Sequence, residues 1–307
     1  MRIASLLPAT TEIVCRLGLK NHLVARSHEC DYPPDVKKIP ACTSPRYQRP
    51  DQLSSSEIHR SVTTILEQSL SVYEVDSALL KEARPDVVLT QDHCEVCAVS
   101  MSELQKSVRG LLDDDTAIVS VSPSNLEGVL QSFRTVADAL GVSEKGGQLA
   151  EDVTNRLHTL RDKTTPIQNK PSVVAIEWID PLMTAGNWMP ELIDAAGGQS
   201  QLADAGTHSP VLEWDRIADT NPDILLIVPC GYTINRTQKE MGTLTSQLGW
   251  ETLSAVQNNQ VYLLDGHHYF NRPGPRLADS AEILAEIFYP DIFPPHRQSS
   301  GWVSFTF

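Results

Sequence analysis

The stretch Arg84-Pro-Asp-Val-Val-Leu-Thr-Gln-Asp-His-Cys-Glu-Val-Cys-Ala-Val-Ser100 constrains this chain more than any other. Val87, Val88 and Leu89 form a short continuous apolar run after a Pro-Asp break. Such a run reads as a strand buried on both faces, the kind found in parallel sheets. The metal-capable residues Asp92, His93, Cys94 and Cys97 follow at once. Met101 to Leu112 then reads as a helix, with Leu104, Val108, Leu111 and Leu112 on one face. The reactive residues therefore belong to a loop at the carboxyl end of a parallel strand, where open α/β sheets bind ligands.

The rest of the chain alternates strand and helix patterns around this stretch. Arg2–Leu7 is a strand turned by Pro8, and Thr10–Leu17 a helix stopped by Gly18. His22–Arg26 is a second strand, followed by a long Pro-rich loop from Ser27 to Pro50. Ser54 to Leu70 and Asp76 to Ala83 are helices, Thr116–Val121 closes the first sheet, and Leu126–Leu140 is an amphipathic helix. From Glu144 to Lys163 a narrow stripe of Leu149, Val153, Leu157 and Leu160 predicts one long helix, a strut of ~30 Å. The second half repeats the first in outline. Ser172–Glu177 is a strand, Ile179–Asn187 a loop, and Trp188–Ala196 a helix stopped by Gly197-Gly198. Asn221-Pro-Asp-Ile-Leu-Leu226 echoes Arg84-Pro-Asp-Val-Val-Leu89, and each is followed by a cysteine-bearing polar loop. Val261–Leu264 is the last strand, Asp265–Pro273 a polar and aromatic loop, Pro275–Phe288 a final helix, and Pro290–Phe307 an irregular tail. The expected organisation is an α/β lobe over residues 1–121, connecting helices over 122–165, a second α/β lobe over 166–290 and a tail over 291–307, with a cleft between facing loop tips.

Composition narrows the function. Twenty-five basic against thirty-nine acidic residues give a net charge of −14, with no Lys/Arg cluster, which argues against nucleic acid. No stretch approaches the ~18 apolar residues of a spanning helix. The N-terminal apolar run stops at Pro8, short of a signal peptide's core, so the chain reads as cytoplasmic, with a periplasmic protein as the alternative. Six cysteines in a chain this long are ligands or redox groups more readily than a disulfide framework. There is no Gly-x-Ser-x-Gly elbow, no Walker loop and no Gly-x-Gly-x-x-Gly, so the expectation is a protein that is not an enzyme.

Three groups of residues carry candidate chemistry. His28, Cys30, His93, Cys94 and Cys97 offer the imidazole and thiolate ligands that zinc prefers, and equally fit small buried side chains beside a turn. Thiol chemistry at Cys94 and Cys97 is a third reading. Tyr47, Trp178, Trp188, Tyr232, Tyr269 and Phe270 fall at strand ends, where aromatics make broad apolar walls for a large flat ligand. Trp214, at a helix start, suits the core as well as the wall. In Asp265–Arg276, His267 and His268 suit a ligand or a metal, Arg272 an anionic group, and Arg276 the stabilisation of a helix start.

Taken together, these segments resemble a known family. Arg2-Ile-Ala-Ser-Leu-Leu-Pro8 with Thr11-Glu12, and Pro85-Asp-Val-Val-Leu89, are similar to the helical-backbone (class III) substrate-binding proteins of ABC importers. Asp31-Tyr-Pro-Pro34, Trp178-Ile-Asp-Pro181, Gly186-Asn-Trp188 and Arg272-Pro-Gly-Pro-Arg276 resemble its cobalamin-binding subgroup. The resemblance implies an α/β fold of two Rossmann-like lobes bridged by one long helix, holding a corrinoid without a protein ligand to cobalt. By position it implies a wall of Arg46, Tyr47, Asp92, His93, Cys94, Trp178, Tyr232, His268, Tyr269 and Phe270. It also implies an ABC permease as partner, docked through acidic residues for which Glu95 or Glu103 is the first-lobe candidate. Two features depart from the pattern: the missing export signal, and the Cys/His enrichment of the first-lobe loop. The latter opens axial ligation of cobalt by His93 or a thiolate, or a metal-ion or metal-chelate cargo (zinc, iron or haem).

Overall fold

The computed structural model describes residues 1–46, 52–67, 72–91 and 115–306. Tyr47, the Asp92–Cys97 loop, Glu95, Glu103 and the expected helix from Met101 to Leu112 lie outside these residues. The chain divides into two compact units. One comprises Met1–Leu53, Glu57–Pro123 and Glu127–Asp152; the other comprises Ser54–Ser56, Ser124–Leu126 and Val153–Phe307.

The first unit holds β1 (Ile3–Ser5), α1 (Pro8–Arg16), β2 (Leu23–Arg26), β3 (Thr43–Pro45), α2 (Ser55–Glu67) apart from its first two residues, β4 (Tyr73–Val75), α3 (Ser77–Ala83), β5 (Val87–Gln91), β6 (Ala117–Val121) and α4 (Leu126–Ala139) apart from its first residue. Its main sheet has the order β2-β1-β5-β6, parallel throughout. All five residues of β5 are buried, as its unbroken apolar start demands of a central strand. Pro8 opens α1 rather than turning the chain away from a strand, because its fixed φ suits a first helical position. Asp76 caps α3, its side chain accepting the Leu79 N–H at 2.9 Å. The expected loop from Ser27 to Pro50 is not loop throughout: β3 pairs antiparallel with β4, twenty-eight residues on in sequence, a match that no local pattern announces.

The long helix α5 (Ser143–Thr164, 22 residues) is the predicted strut, and the boundary between the units falls inside it, at Asp152/Val153. Among the described residues no helix is long and apolar enough to cross a membrane.

The second unit holds β7 (Ser172–Trp178), β8 (Met183–Thr184), α6 (Met189–Ala195), β9 (Gln199–Ser200), α7 (Trp214–Thr220), β10 (Ile224–Ile227), α8 (Ile234–Thr245), β11 (Val261–Leu264), α9 (Leu277–Phe288) and β12 (Trp302–Ser304). The sheet runs β12-β11-β10-β7-β8, with β9 also on β7. The order β9-β7-β10-β11, all parallel, reproduces β2-β1-β5-β6 of the first unit. The echo seen in the sequence has a structural counterpart at each copy. A seven-residue helix, α3 or α7, ends on a left-handed residue, Arg84 (φ 41°) or Asn221 (φ 43°). A Pro-Asp pair follows, and the aspartate accepts the backbone N–H that leads into the neighbouring strand: Arg2 at 2.7 Å from Asp86, Ser172 at 2.8 Å from Asp223.

Two expectations are corrected here. The region Ile179–Asn187 contains β8, antiparallel to β7. The tail is not irregular throughout: Trp302–Ser304 adds an antiparallel edge strand to β11, and Trp302 is 6% exposed with its indole N–H on Glu286. Trp302, with Val303 and Phe305 packed against the core, supplies the apolar surface that anchors this Pro- and Ser-rich segment. Val174, Ile176, Leu225, Ile227 and Leu263 are each at most 1% exposed in this unit's core, worth about 1.5–3 kcal/mol apiece in burial.

Candidate functional site

Three adjacent parallel strands of the second unit, β7, β10 and β11, end side by side, and their carboxyl-end loops carry the predicted aromatic residues. Trp178 closes β7, Tyr232 lies beyond β10, and a π-helical turn, Gly266–Phe270, follows β11. The loops are stitched to one another by the main chain. Cys230 N–H donates to Glu177 O at 3.1 Å and His267 N–H to Tyr232 O at 3.0 Å. Gly266 permits the closest approach, since a Cβ there would lie 2.2 Å from the Pro229 carbonyl oxygen.

On this rim the half-buried Trp178 meets Tyr232 edge-on, with ring centroids 5.4 Å apart and planes at 60°. Tyr232 is 6% exposed; the Arg236 guanidinium lies 4.9 Å from its ring centre, and its hydroxyl donates to Glu240 Oε1 at 3.2 Å. Burial first, then the Glu240 carboxylate, pushes the phenol above its ordinary range, so it stays a donor. Arg236 Nη2 donates to the same carboxylate oxygen at 2.8 Å, and the Ser55 N–H reaches the other at 2.9 Å.

The turn after β11 is organised by Asp265, which is 6% exposed. Its Oδ1 accepts the N–H groups of His267 and His268 at 2.9 and 2.7 Å, and its Oδ2 lies 2.9 Å from His268 Nδ1. The two imidazoles stand perpendicular, centroids 4.5 Å apart, and Arg272 Nη2 sits 3.2 Å from His267 Nε2. Tyr269 is flanked by Arg276 and Arg297, 5.4 and 5.5 Å from its ring centre. Phe270 is fully buried, so its side chain packs inward; its carbonyl accepts the Trp188 indole N–H at 2.9 Å, which ties Trp188 to this turn. Trp214 is core, stacked 5.9 Å from Trp250.

The first-unit candidates sit as follows. Arg46 pairs with Glu74 at 3.9 Å. His28 Nδ1 lies 2.7 Å from Thr43 Oγ1, and its ring packs 5.1 Å from Tyr73. Cys30 is 1% exposed and accepts the Thr11 hydroxyl at 3.0 Å, within a buried network of Ser5, Thr10 and Thr11. Among the described residues neither His28 nor Cys30 belongs to a group of three metal-capable side chains. Their expected co-ligands His93, Cys94 and Cys97 fall outside the described residues.

Sequence reasoning missed Asp265 as the organiser of the histidine turn, and Arg236 and Glu240 behind Tyr232. The signal for the latter was present: Arg236 and Glu240 are spaced four apart, as an ion pair on one face of a helix requires.

Comparison with known proteins bears on the fold and the family. A substrate-binding lipoprotein of an ABC transporter from Bacillus subtilis, YvrC, otherwise uncharacterised, is 24% identical over 95% of this chain and 81% of its own. The vitamin B12-binding protein of Vibrio cholerae is 23% identical over 92% and 86%. Among solved structures, the periplasmic haem-binding protein RhuT from Roseiflexus superposes with a TM-score of 0.65 at 24% identity, covering 94% of this chain and 97% of that one. These relatives are solute-binding proteins, not enzymes. The fold is the predicted one, two α/β units connected through a long helix. Residues 3–267 match the family described as periplasmic binding protein, and the chain belongs to that family.

Proposed function

We propose that this protein is the substrate-binding component of an ABC importer and that its cargo is a flat metal-tetrapyrrole, a corrinoid before any other. The observation that carries this reading is the rim at the ends of β7, β10 and β11, which holds the Trp178–Tyr232 pair on two loops and, on the turn bonded to them after β11, the paired imidazoles of His267 and His268. A large ring gains most from broad aromatic surface, with a few placed polar groups to orient it. The vitamin B12-binding relative supports the corrinoid. Tyr47, Asp92, His93 and Cys94 are further candidates for touching the ligand, and Glu95 or Glu103 for contact with the permease.

Haem is the second reading, supported by the haem-binding relative and by the two histidines on the rim, since imidazole suits iron. Equilibrium dialysis of purified protein against cyanocobalamin and against hemin, each followed by its visible spectrum, decides between them. Retention of cyanocobalamin at micromolar concentration is expected. Retention of hemin alone selects the second reading, and retention of neither ends both.

A further inference from the structure

Tyr232 is held from three directions. Trp178 meets its edge, the Arg236 guanidinium covers its ring, and Glu240 takes its hydroxyl. The ion pair behind it is itself withdrawn from water, with side chains 18% and 10% exposed for Arg236 and Glu240. An exposed i,i+4 pair contributes only a few tenths of a kcal/mol, and a buried one recovers its desolvation cost only when its hydrogen bonds are complete. Here the carboxylate accepts from the Tyr232 hydroxyl, the Arg236 guanidinium and the Ser55 N–H. A carboxylate tied down by three donors fixes geometry more than it adds stability.

We propose that Arg236 and Glu240 are positioning residues that hold the Tyr232 ring against Trp178, presenting a preformed aromatic wall to the cargo; this rests on the flat-ring reading above. A wall already ordered before binding spares the entropy of immobilising the two rings in the complex. Neither residue needs to touch the ligand. Their substitution therefore acts through Tyr232, and a double-mutant cycle exposes that dependence.

The dissociation constants of the wild type, Glu240→Ala, Tyr232→Phe and the double variant are measured by dialysis with cyanocobalamin and with hemin. Glu240→Ala is expected to weaken retention about tenfold, the scale of one lost hydrogen bond to a charged group. The double variant is expected to be no weaker than the poorer single variant. Full additivity, or no loss in Glu240→Ala, overturns the proposal. Should Glu240→Ala fail to fold, Glu240→Gln keeps the volume, and its loss is expected to be smaller but equally dependent on the Tyr232 hydroxyl. A wild type that binds neither probe defeats the cargo reading, not this one. The ligand-free crystal structure of Glu240→Gln then decides: Tyr232 displaced from Trp178 supports the positioning role, and an unmoved ring overturns it.

Discussion

Asp223 receives two hydrogen bonds from a single residue, the Ser172 hydroxyl at 2.7 Å and the Ser172 N–H at 2.8 Å. Both favour the carboxylate, and they hold its pKa below the ordinary range, the hydroxyl contributing most. The unfolded chain binds a proton more readily there than the folded one. The stabilisation is therefore complete above the unfolded pKa and is lost as pH falls through the folded value. Asp223→Asn is expected to lower the urea midpoint at pH 7, with the gap to wild type closing on acidification below about pH 4. A gap that stays constant across the titration would show that the charge is irrelevant. Two thiols are the counterexample to the sequence's emphasis on reactive cysteines. Burial pushes Cys42 up to about 12 and Cys15 up to about 11, so neither forms a thiolate at neutral pH.

At the level of elements, β12 is the part whose removal is most easily read. Trp302 packs edge-on against Tyr262 with centroids 5.5 Å apart, and its indole N–H donates to the buried Glu286 at 3.1 Å. Trp302→Ala is expected to cost about 3–5 kcal/mol by chemical denaturation, with the fold retained. A loss under 1 kcal/mol would mean that the strand is ornamental. That strand also marks where the sequence stopped being legible. β5, β10 and β11 follow from local information alone: short apolar runs with punctuation on both sides, each on or near its expected bounds. β12 and the β3–β4 pair depend on partners dozens of residues away, and a three-residue strand leaves no periodicity to find. The helix α8 escaped for another reason, since only Ile234, Thr237, Met241 and Leu244 of its twelve residues are buried, a thin stripe in polar sequence. Missing α8 hid Arg236 and Glu240, while Trp178, Tyr232 and the histidine turn were visible because aromatic and imidazole residues after a strand stand out unaided.

For the molecule as a whole, the two units share a strand order but not a composition. All five tryptophans, residues 178, 188, 214, 250 and 302, belong to the second unit, so intrinsic emission reports on that unit alone. Corrinoids and haem both absorb strongly where tryptophan emits. Saturation with whichever ring is retained is expected to quench more than half of the emission, read as a fluorescence titration. Retained ligand with unchanged emission would place it away from Trp178 and Trp188, and the rim would lose its assignment. Strand β12 has a further consequence, for synthesis. The first unit's parallel sheet is complete once residue 121 has left the ribosome, whereas the second sheet waits for residues 302–304 to emerge. Domains fold largely as units during translation. The nascent protein thus passes through a long interval with one half finished and the other lacking its border, which is when chaperones would find it.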